Sequence, residues 1–312
     1  MSTRTLVSFD WASKKLLRQK ANFVILEGFL TELLGEDILI KNMLESESNK
    51  NDQDDKYNQV DMLCENEKGE LIIIEVQFYE ESDYFHRILY GTSKVITEYM
   101  TEGKPYNQVK KVYSINILYF DIGQGDDYLY RGSMNFRGMN NDDLLELGDF
   151  QKKKFGKKYP SEIFPEIILI KVNNFNKHAL APLDEWIYFL KYTTLPDRIT
   201  AKGLDKVVKH LKYDNMDTVA KREYDKYVEG MRISRDMLET ATQKAENKGK
   251  VEGKVEGKAE GKAEGKAEGK VEGKVEVVLF SYDDKLPLPQ IARITQLSED
   301  EVIKILKDHG KI

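Results

Sequence analysis

The chain has 312 residues, 40% of them apolar and 33% charged, with a formal net charge of −6. That composition is enough for one large core or two modest ones, and it excludes a fibrous protein or one coated in basic surface. The single cysteine, Cys64, excludes an internal disulfide; with no signal-like segment and no apolar run near spanning length, the expected setting is cytoplasmic and away from membranes.

From Phe9, the segment FDWASKKLLRQKANFVILEGFLTELLG repeats apolar residues at helical spacing (Leu16, Leu17, Phe23, Leu26, Phe29, Leu30, Leu33) and stops at Gly35, which predicts one or two helices. ILIKNMLES, residues 38–46, has strand composition, and the polar ESNKNDQDDK, residues 47–56, supplies a loop. A two-stranded ribbon follows. In YNQVDMLCEN, Val60, Met62 and Cys64 alternate with Asp61 and Leu63; ENEKGE makes the turn; LIIIEVQ is a continuous apolar run of the kind buried at a sheet centre. Period two then puts Ile73, Glu75 and Gln77 on one face.

DYFHRILYGTSKVITEYMTEG predicts a helix with Phe85, Ile88, Leu89, Val95, Ile96 and Tyr99 toward the core and Arg87, Gly91, Lys94 and Glu98 along another face. KVYSINILYF and EIILIKV (166–172) read as buried strands separated by a Gly- and Asp-rich loop. Residues 151–215 carry 13 Lys plus Arg against 7 Asp plus Glu, a difference of +6, opening with QKKKFGKK; such a run is either a solvated face or a stripe for phosphates.

Helical patterns return in LDEWIYFLKY and GLDKVVKHLKY and continue through a long polar stretch to Gln243. Residues 249–276 are seven consecutive tetrads of Gly-Lys-Val/Ala-Glu. A four-residue repeat drifts slowly round a helix, so no fixed apolar face forms, like charges sit four apart, and glycine weakens the helix. The expectation is a frayed helix or polar spacer, roughly 40 Å long if helical, or a segment for self-association. Beyond it, LPLPQIARITQLSEDEVIKILKDHG predicts two short helices, the second opened by a Ser298–Glu301 capping box. The spacing suits a helix-turn-helix, but residues 277–312 carry 5 Lys plus Arg against 6 Asp plus Glu, with three acids at the helix end that would approach base edges. A packing role and a DNA contact both stay open. The domains read as a core over 1–180, a helical extension over 181–243, a charged spacer over 244–276 and a tail over 277–312.

A carboxylate ending the run IIIE must be solvated, paired or metal-bound, because burying it alone is prohibitively costly. Asp61 and Glu75 on adjacent strands repel unless a cation lies between them, and hard oxygen donors select Mg²⁺ or Mn²⁺. Glu27 or Asp10 is the candidate third acid, although Glu27 also reads as an ordinary helix-surface residue. Gln77 can orient a water or a phosphate but carries no charge. No phosphate-cradling loop, dinucleotide fingerprint or zinc cluster is present in the sequence.

Taken together, SFDWASKKLL, ILEGFLTELL, VDMLCENEKGELIIIEVQ, DYFHRILYGTSKVITEYM, GKPYNQVKKVYSINILYF and PLDEWIYFLKY resemble the PD-(D/E)XK nuclease family transposases, the Rpn-type recombination-promoting nucleases, over about residues 5–235. The resemblance implies an α/β, restriction-endonuclease-like core (a mixed central sheet flanked by helices) and Mg²⁺-dependent cleavage of DNA. It carries the superfamily's first acid onto Asp61, its second onto Glu75 and the last motif position onto Gln77, where the superfamily usually has Lys. An acid on the first core helix would be Glu27. Asp10, Arg87, Tyr90 and Lys94 fall in recurring family segments, the last three as phosphate contacts, and Arg87 or Lys94 could supply the missing charge. The implied function is a metal-dependent DNA endonuclease linked to recombination or mobile elements. The alternative is a catalytically weak DNA-binding or assembly protein on a nuclease fold. The repeat is the candidate route to a homo-oligomer.

Overall fold

A computed structural model describes residues 6–44, 61–100, 103–176 and 178–312. The loop expected over 47–56 and Val60 lie outside the described residues. The chain divides into two compact units, 1–227 and 228–312.

The first unit is built round LIIIEVQ. Leu71–Gln77 forms β3, buried from Leu71 through Ile74 and again at Val76. It pairs antiparallel with β2 (Met62–Asn66), which pairs antiparallel with β1 (Ile40–Leu44). On its other side β3 runs parallel to β4 (Val112–Leu118), which runs parallel to β6 (Glu166–Lys171). The sheet order is β1-β2-β3-β4-β6-β5, with β5 formed by Leu129–Ser133. The parallel β3–β4 pair needs a crossover, and α3 (Tyr84–Glu98) supplies it. An α/β restriction-endonuclease-like fold, with a mixed sheet and flanking helices, is the result.

β5 (Leu129–Ser133) and α4 (Asp149–Phe155) stand inside the span that the sequence reads as a loop. β5 is a short, half-exposed antiparallel edge strand whose LYRGS lacks apolar alternation, so only its pairing with β6 makes it a strand. The other correction concerns α3. Tyr84, Ile88, Thr92 and Val95 are buried, whereas Phe85 is 54% and Leu89 62% exposed. The sheet accepts the stripe of Tyr84, Ile88 and Val95, and residues one step further round the helix point out.

Period two divides the sheet. Leu63, Leu71, Ile73 and Val112 share a cluster with Val95 of α3, while Leu118 joins Tyr84 and Ile88. Side chains of the opposite parity, including Cys64, Ile72, Ile74, Ile115 and Ile168, are equally buried. A helical layer of α1 (Phe9–Lys15), α2 (Phe23–Leu34), α5 (Pro182–Tyr192) and α6 (Leu204–His210) is knit by edge-on rings: Phe9 to Phe29 at 5.5 Å and Phe29 to Trp186 at 5.6 Å.

In this layer α2 meets the start of α6 backbone to backbone. A Cβ on Gly28 would lie 2.2 Å from the Lys202 carbonyl oxygen and 2.7 Å from Gly203 Cα. The Thr218–Asp283 helix, α7, begins where Asp217 Oδ1 accepts from the amides of Val219 and Ala220, each at 2.8 Å. It runs through the polar stretch and all seven tetrads. In the second unit α8 (Leu288–Thr295) and α9 (Glu299–Asp308) bury Ile291, Ala292, Val302 and Leu306 against Val278, and Ser298 and Glu301 form the expected capping box.

Gly28→Ala should therefore cost about 1–3 kcal/mol, because its new methyl meets backbone that cannot rotate away. Gly91→Ala on α3, with nothing within 4 Å, should gain up to about 1 kcal/mol from helix propensity. Urea titrations of both variants check the contrast.

Candidate functional site

β2 and β3 hold the two central carboxylates. Ile74 pairs with Met62, so Asp61, just ahead of β2, lies across from Glu75. Asp61 Oδ2 accepts from the Val76 amide at 2.8 Å, tying its side chain to the end of β3. Glu75 points to the α3 side with Ile73 and is 15% exposed. Burial pushes the Glu75 carboxyl up to about 8, and Asp61 pushes the same way, outweighing Arg87 and Lys14. Asp61 is raised as well, by burial first, against the pull of Lys14 and the Val76 amide.

Cations reach this pair from two helices. On α3, Arg87 Nη1 donates to both Glu81 oxygens at 2.8 and 3.0 Å, and Nη2 lies 3.8 Å from Glu75 Oε2. On α1, Lys14 Nζ lies 3.0 Å from Asp10 Oδ1 and 3.4 Å from Asp61 Oδ1. Burial opposes the Lys14 charge, but Asp61 and Asp10 prevail and its pKa is raised. Tyr227 OH donates to the other Asp10 oxygen, and Arg18 donates to the Asp61 carbonyl. Lys14, Lys15, Arg18 and Lys20 are all exposed, so a basic stretch borders Asp61.

Gln77 donates to Glu81 Oε1 at 2.6 Å and to the Tyr79 carbonyl at 3.2 Å. Arg87 and Gln77 thus share Glu81, a residue that sequence reading passed over. Tyr90 is half exposed on an open groove that Glu80, Glu81, Asp83, His86 and Arg87 also line. Lys94 lies two turns beyond Arg87 on the same helix. Behind Glu75 a cavity of about 20 Å³, room for about one water, is lined by Tyr84, Thr92, Ser114 and Asn116; Tyr84 OH donates to Asn116 Oδ1 at 3.2 Å.

Glu27 stands apart from the pair. Its Oε1 accepts from the Ile40 amide at 2.8 Å, and its charge is felt by Cys64, whose side chain lies on the sheet face opposite Glu75. Burial, with Glu27 adding to it, pushes that thiol up to about 12, so Cys64 is no nucleophile near neutral pH. Among the described residues no three His, Cys, Asp or Glu side chains converge to hold a metal ion. The donor chemistry present is a pair of neighbouring carboxylates, Asp61 raising the pKa of Glu75, and a divalent cation between them would relieve that repulsion. The pair fits such an ion.

Lys14 is the residue that sequence reading missed at the centre of the site. Its signal was available: it lies four residues after Asp10, the spacing that puts both on one helix face. The expected basic grip also stands differently. The QKKKFGKK run leads toward the start of β6, whose first residue Glu166 lies level with Ile72 at the other end of the parallel strands from Gln77, and Glu146 pairs with Lys152 at 2.7 Å and Lys158 at 3.2 Å.

A mixed sheet whose second and third strands bring Asp61, Glu75 and Gln77 together defines a nuclease-like α/β core. Residues 7–244 match the family described as PD-(D/E)XK nuclease family transposase, and the chain belongs to that family. The family supports a nuclease-like function, and PD-(D/E)XK nucleases generally use divalent metals. Comparison with curated proteins and with solved structures gives no match. Among the described residues no helix is long and apolar enough to cross a membrane.

The raised Glu75 carboxyl gives a pH signature. Folded Glu75 keeps its proton up to about 8 while the unfolded chain loses it near 4.5, so the folded state binds the extra proton between these values. Stability of the metal-free protein should fall across that window as pH rises, by at least about 1.4 kcal/mol, the worth of one unit. Chemical denaturation in EDTA at pH 5 and pH 8 measures it. Glu75→Gln should flatten the slope, and Mg²⁺ or Mn²⁺ should stabilise the parent more at pH 8 than at pH 5.

Proposed function

We propose that the chain is a divalent-metal-dependent DNA endonuclease, with Asp61 and Glu75 as the metal-binding pair. The observation that carries the reading is the placement of two carboxylates across the β2–β3 ribbon, Asp61 raising Glu75, beside the cations Lys14 and Arg87. A bound Mg²⁺ or Mn²⁺ would supply Lewis-acid neutralisation of a phosphate oxygen and a water acidic enough to attack.

This chain's residues do the remaining work. Gln77, where the superfamily usually has Lys, offers an amide that orients the water or the scissile phosphate once it leaves Glu81. The charge that Gln77 lacks comes from Lys14, whose ammonium sits beside Asp61 and is held by Asp10, itself fixed by Tyr227. Lys15, Arg18 and Lys20 carry the same basic border to the DNA backbone, and Arg87, Tyr90 and Lys94 approach it from α3. Glu27 supports the site indirectly, by fixing β1 through the Ile40 amide. The biological setting we assign is DNA recombination or mobile-element activity, as the family's description suggests.

The specific observation behind a second reading is the same Gln77. Its amide is committed to Glu81 and Tyr79, which fits a fold retained for DNA binding with weak chemistry.

Incubation with supercoiled plasmid in Mg²⁺, Mn²⁺ or EDTA separates the two. Metal-dependent nicking should fall at least about 100-fold in Asp61→Ala and in Glu75→Ala, with DNA affinity within a few-fold. Lys14→Met should slow cutting by about 10-fold or more, the range of a lost charge-stabilising donor. Cutting that survives both acid substitutions sinks the metal assignment. DNA binding without cutting in any metal selects the second reading.

A further inference from the structure

The seven tetrads in α7 are explained by neither the core nor the site. Within 249–276 every Lys has Lys as its i±4 neighbour and every Glu has Glu, while the i±3 positions hold Gly, Val or Ala. No opposite-charge pair therefore forms along the helix inside the repeat, and the like-charge neighbours repel. Residues 249–270 are fully on the surface; Lys248, just ahead of the repeat, pairs with Glu252 at 3.7 Å, and the charges further along face solvent.

At about 100° per residue, each tetrad turns about 40° further round the helix axis. Lys250, Lys254 and Lys258 then lie within about 40° of one line along the cylinder. Eighteen residues are five turns, so Glu268, Glu272 and Glu276 return to that same line. Between the two sets it is occupied by Gly261 and Gly265, and a Cβ on either glycine would meet nothing within 4 Å. A uniform repeat has become a polar face: basic at one end, bare in the middle, acidic at the other.

That face is complementary to its own reversed copy. We propose that α7 associates with the α7 of a second copy of this chain, antiparallel, about a two-fold axis beside Ala263. In this pairing Lys254 meets Glu272, Lys250 and Lys258 flank it opposite Glu276 and Glu268, and Gly261 meets Gly265, each contact being made twice. The glycines let the backbones approach closely. A parallel pair in register would set lysine on lysine. The opposite face has the same charge logic, with Ala259, Ala263 and Ala267 in its middle, but it is obstructed: Lys274 donates to the Gln296 carbonyl at 3.4 Å, so the α8–α9 turn stands over its end. The occupant is a second chain rather than DNA, because the face carries as many acids as bases.

Sedimentation of the full chain reads the association directly. At about 50 mM salt the mass should be twice that of one chain, and the association constant should drop at least about tenfold at 500 mM, where the Debye length is well under 10 Å. The Lys250→Glu/Lys254→Glu/Lys258→Glu variant has an all-acidic face and the Glu268→Lys/Glu272→Lys/Glu276→Lys variant an all-basic one. Each should be monomeric alone; an equimolar mixture of the two should dimerise, and so should a chain carrying all six changes, which also shows that the helix survives the substitutions. A monomeric parent at low salt overturns the proposal. So does self-association of either triple variant at the parent's strength, or a mixture and six-fold variant that both stay monomeric.

Discussion

The site rests on one constraint: Glu75 follows four buried apolar residues within the central strand β3. LIIIEVQ is the hydrogen-bonded centre of the sheet, paired with β2 on one side and β4 on the other, so Glu75 cannot swing to solvent without breaking both ladders. A carboxylate so held is costly when charged and unpaired. Its surroundings are arranged round that cost, with Asp61 opposing it, Arg87 and Lys14 partly offsetting it, and Tyr84, Asn116 and Ser114 forming a polar lining behind it. The raised carboxyl is therefore a property of the fold, carried by the same hydrogen bonds that make β3 the central strand.

The same logic accounts for α1. FDWASKK is a short helix with too few residues to be stable alone, and it is anchored by burying Phe9 and Trp11, with Trp11 against Tyr224 at 5.2 Å. Asp10 is buried by that packing and takes a hydroxyl from Tyr227 and the ammonium of Lys14. Lys14 is left leaning toward Asp61 with its stem on the helix and its charge at the site. In the proposed reading, a cation placed by packing on a separate element takes the electrostatic part that a lysine at position 77 would otherwise take from the strand itself.

How much of this could be read from the residues follows the range of each signal. The ribbon, the shared face of Ile73, Glu75 and Gln77, the strands β4 and β6 and the Ser298 capping box all rest on spacing of one to four residues, and all were legible; that β4 and β6 run parallel was not. β5 was not, since its strand character comes from pairing with β6 across a loop. Nor was the bond from Tyr227 to Asp10, which joins residues 217 apart with no local pattern at either end. Glu27 shows the limit of reading by hydrophobic neighbourhood: an acid among apolar residues must find a partner, but the Ile40 amide satisfied that need, and the sequence could not say on which side of the sheet it would be found. Phe85 and Leu89 fail for a related reason, since helical periodicity gives an apolar sector wider than the stripe a sheet can accept.

The tetrads add a different lesson about period. A repeat of four on a helix of 3.6 never returns to register unit by unit, but it does return after eighteen residues, the common closure of five turns. Lys and Glu stand two apart in every unit, about 200° round the axis, so bringing both to one angle takes about four units of drift. In an array shorter than five units no Lys and Glu come to the same angle on the helix. Seven units place three residues of each sign on the line, with two glycines between them. Array length, rather than the composition of the unit, is then what decides whether this helix can recognise itself, and gaining or losing whole tetrads changes the number of facing pairs without touching the nuclease-like core.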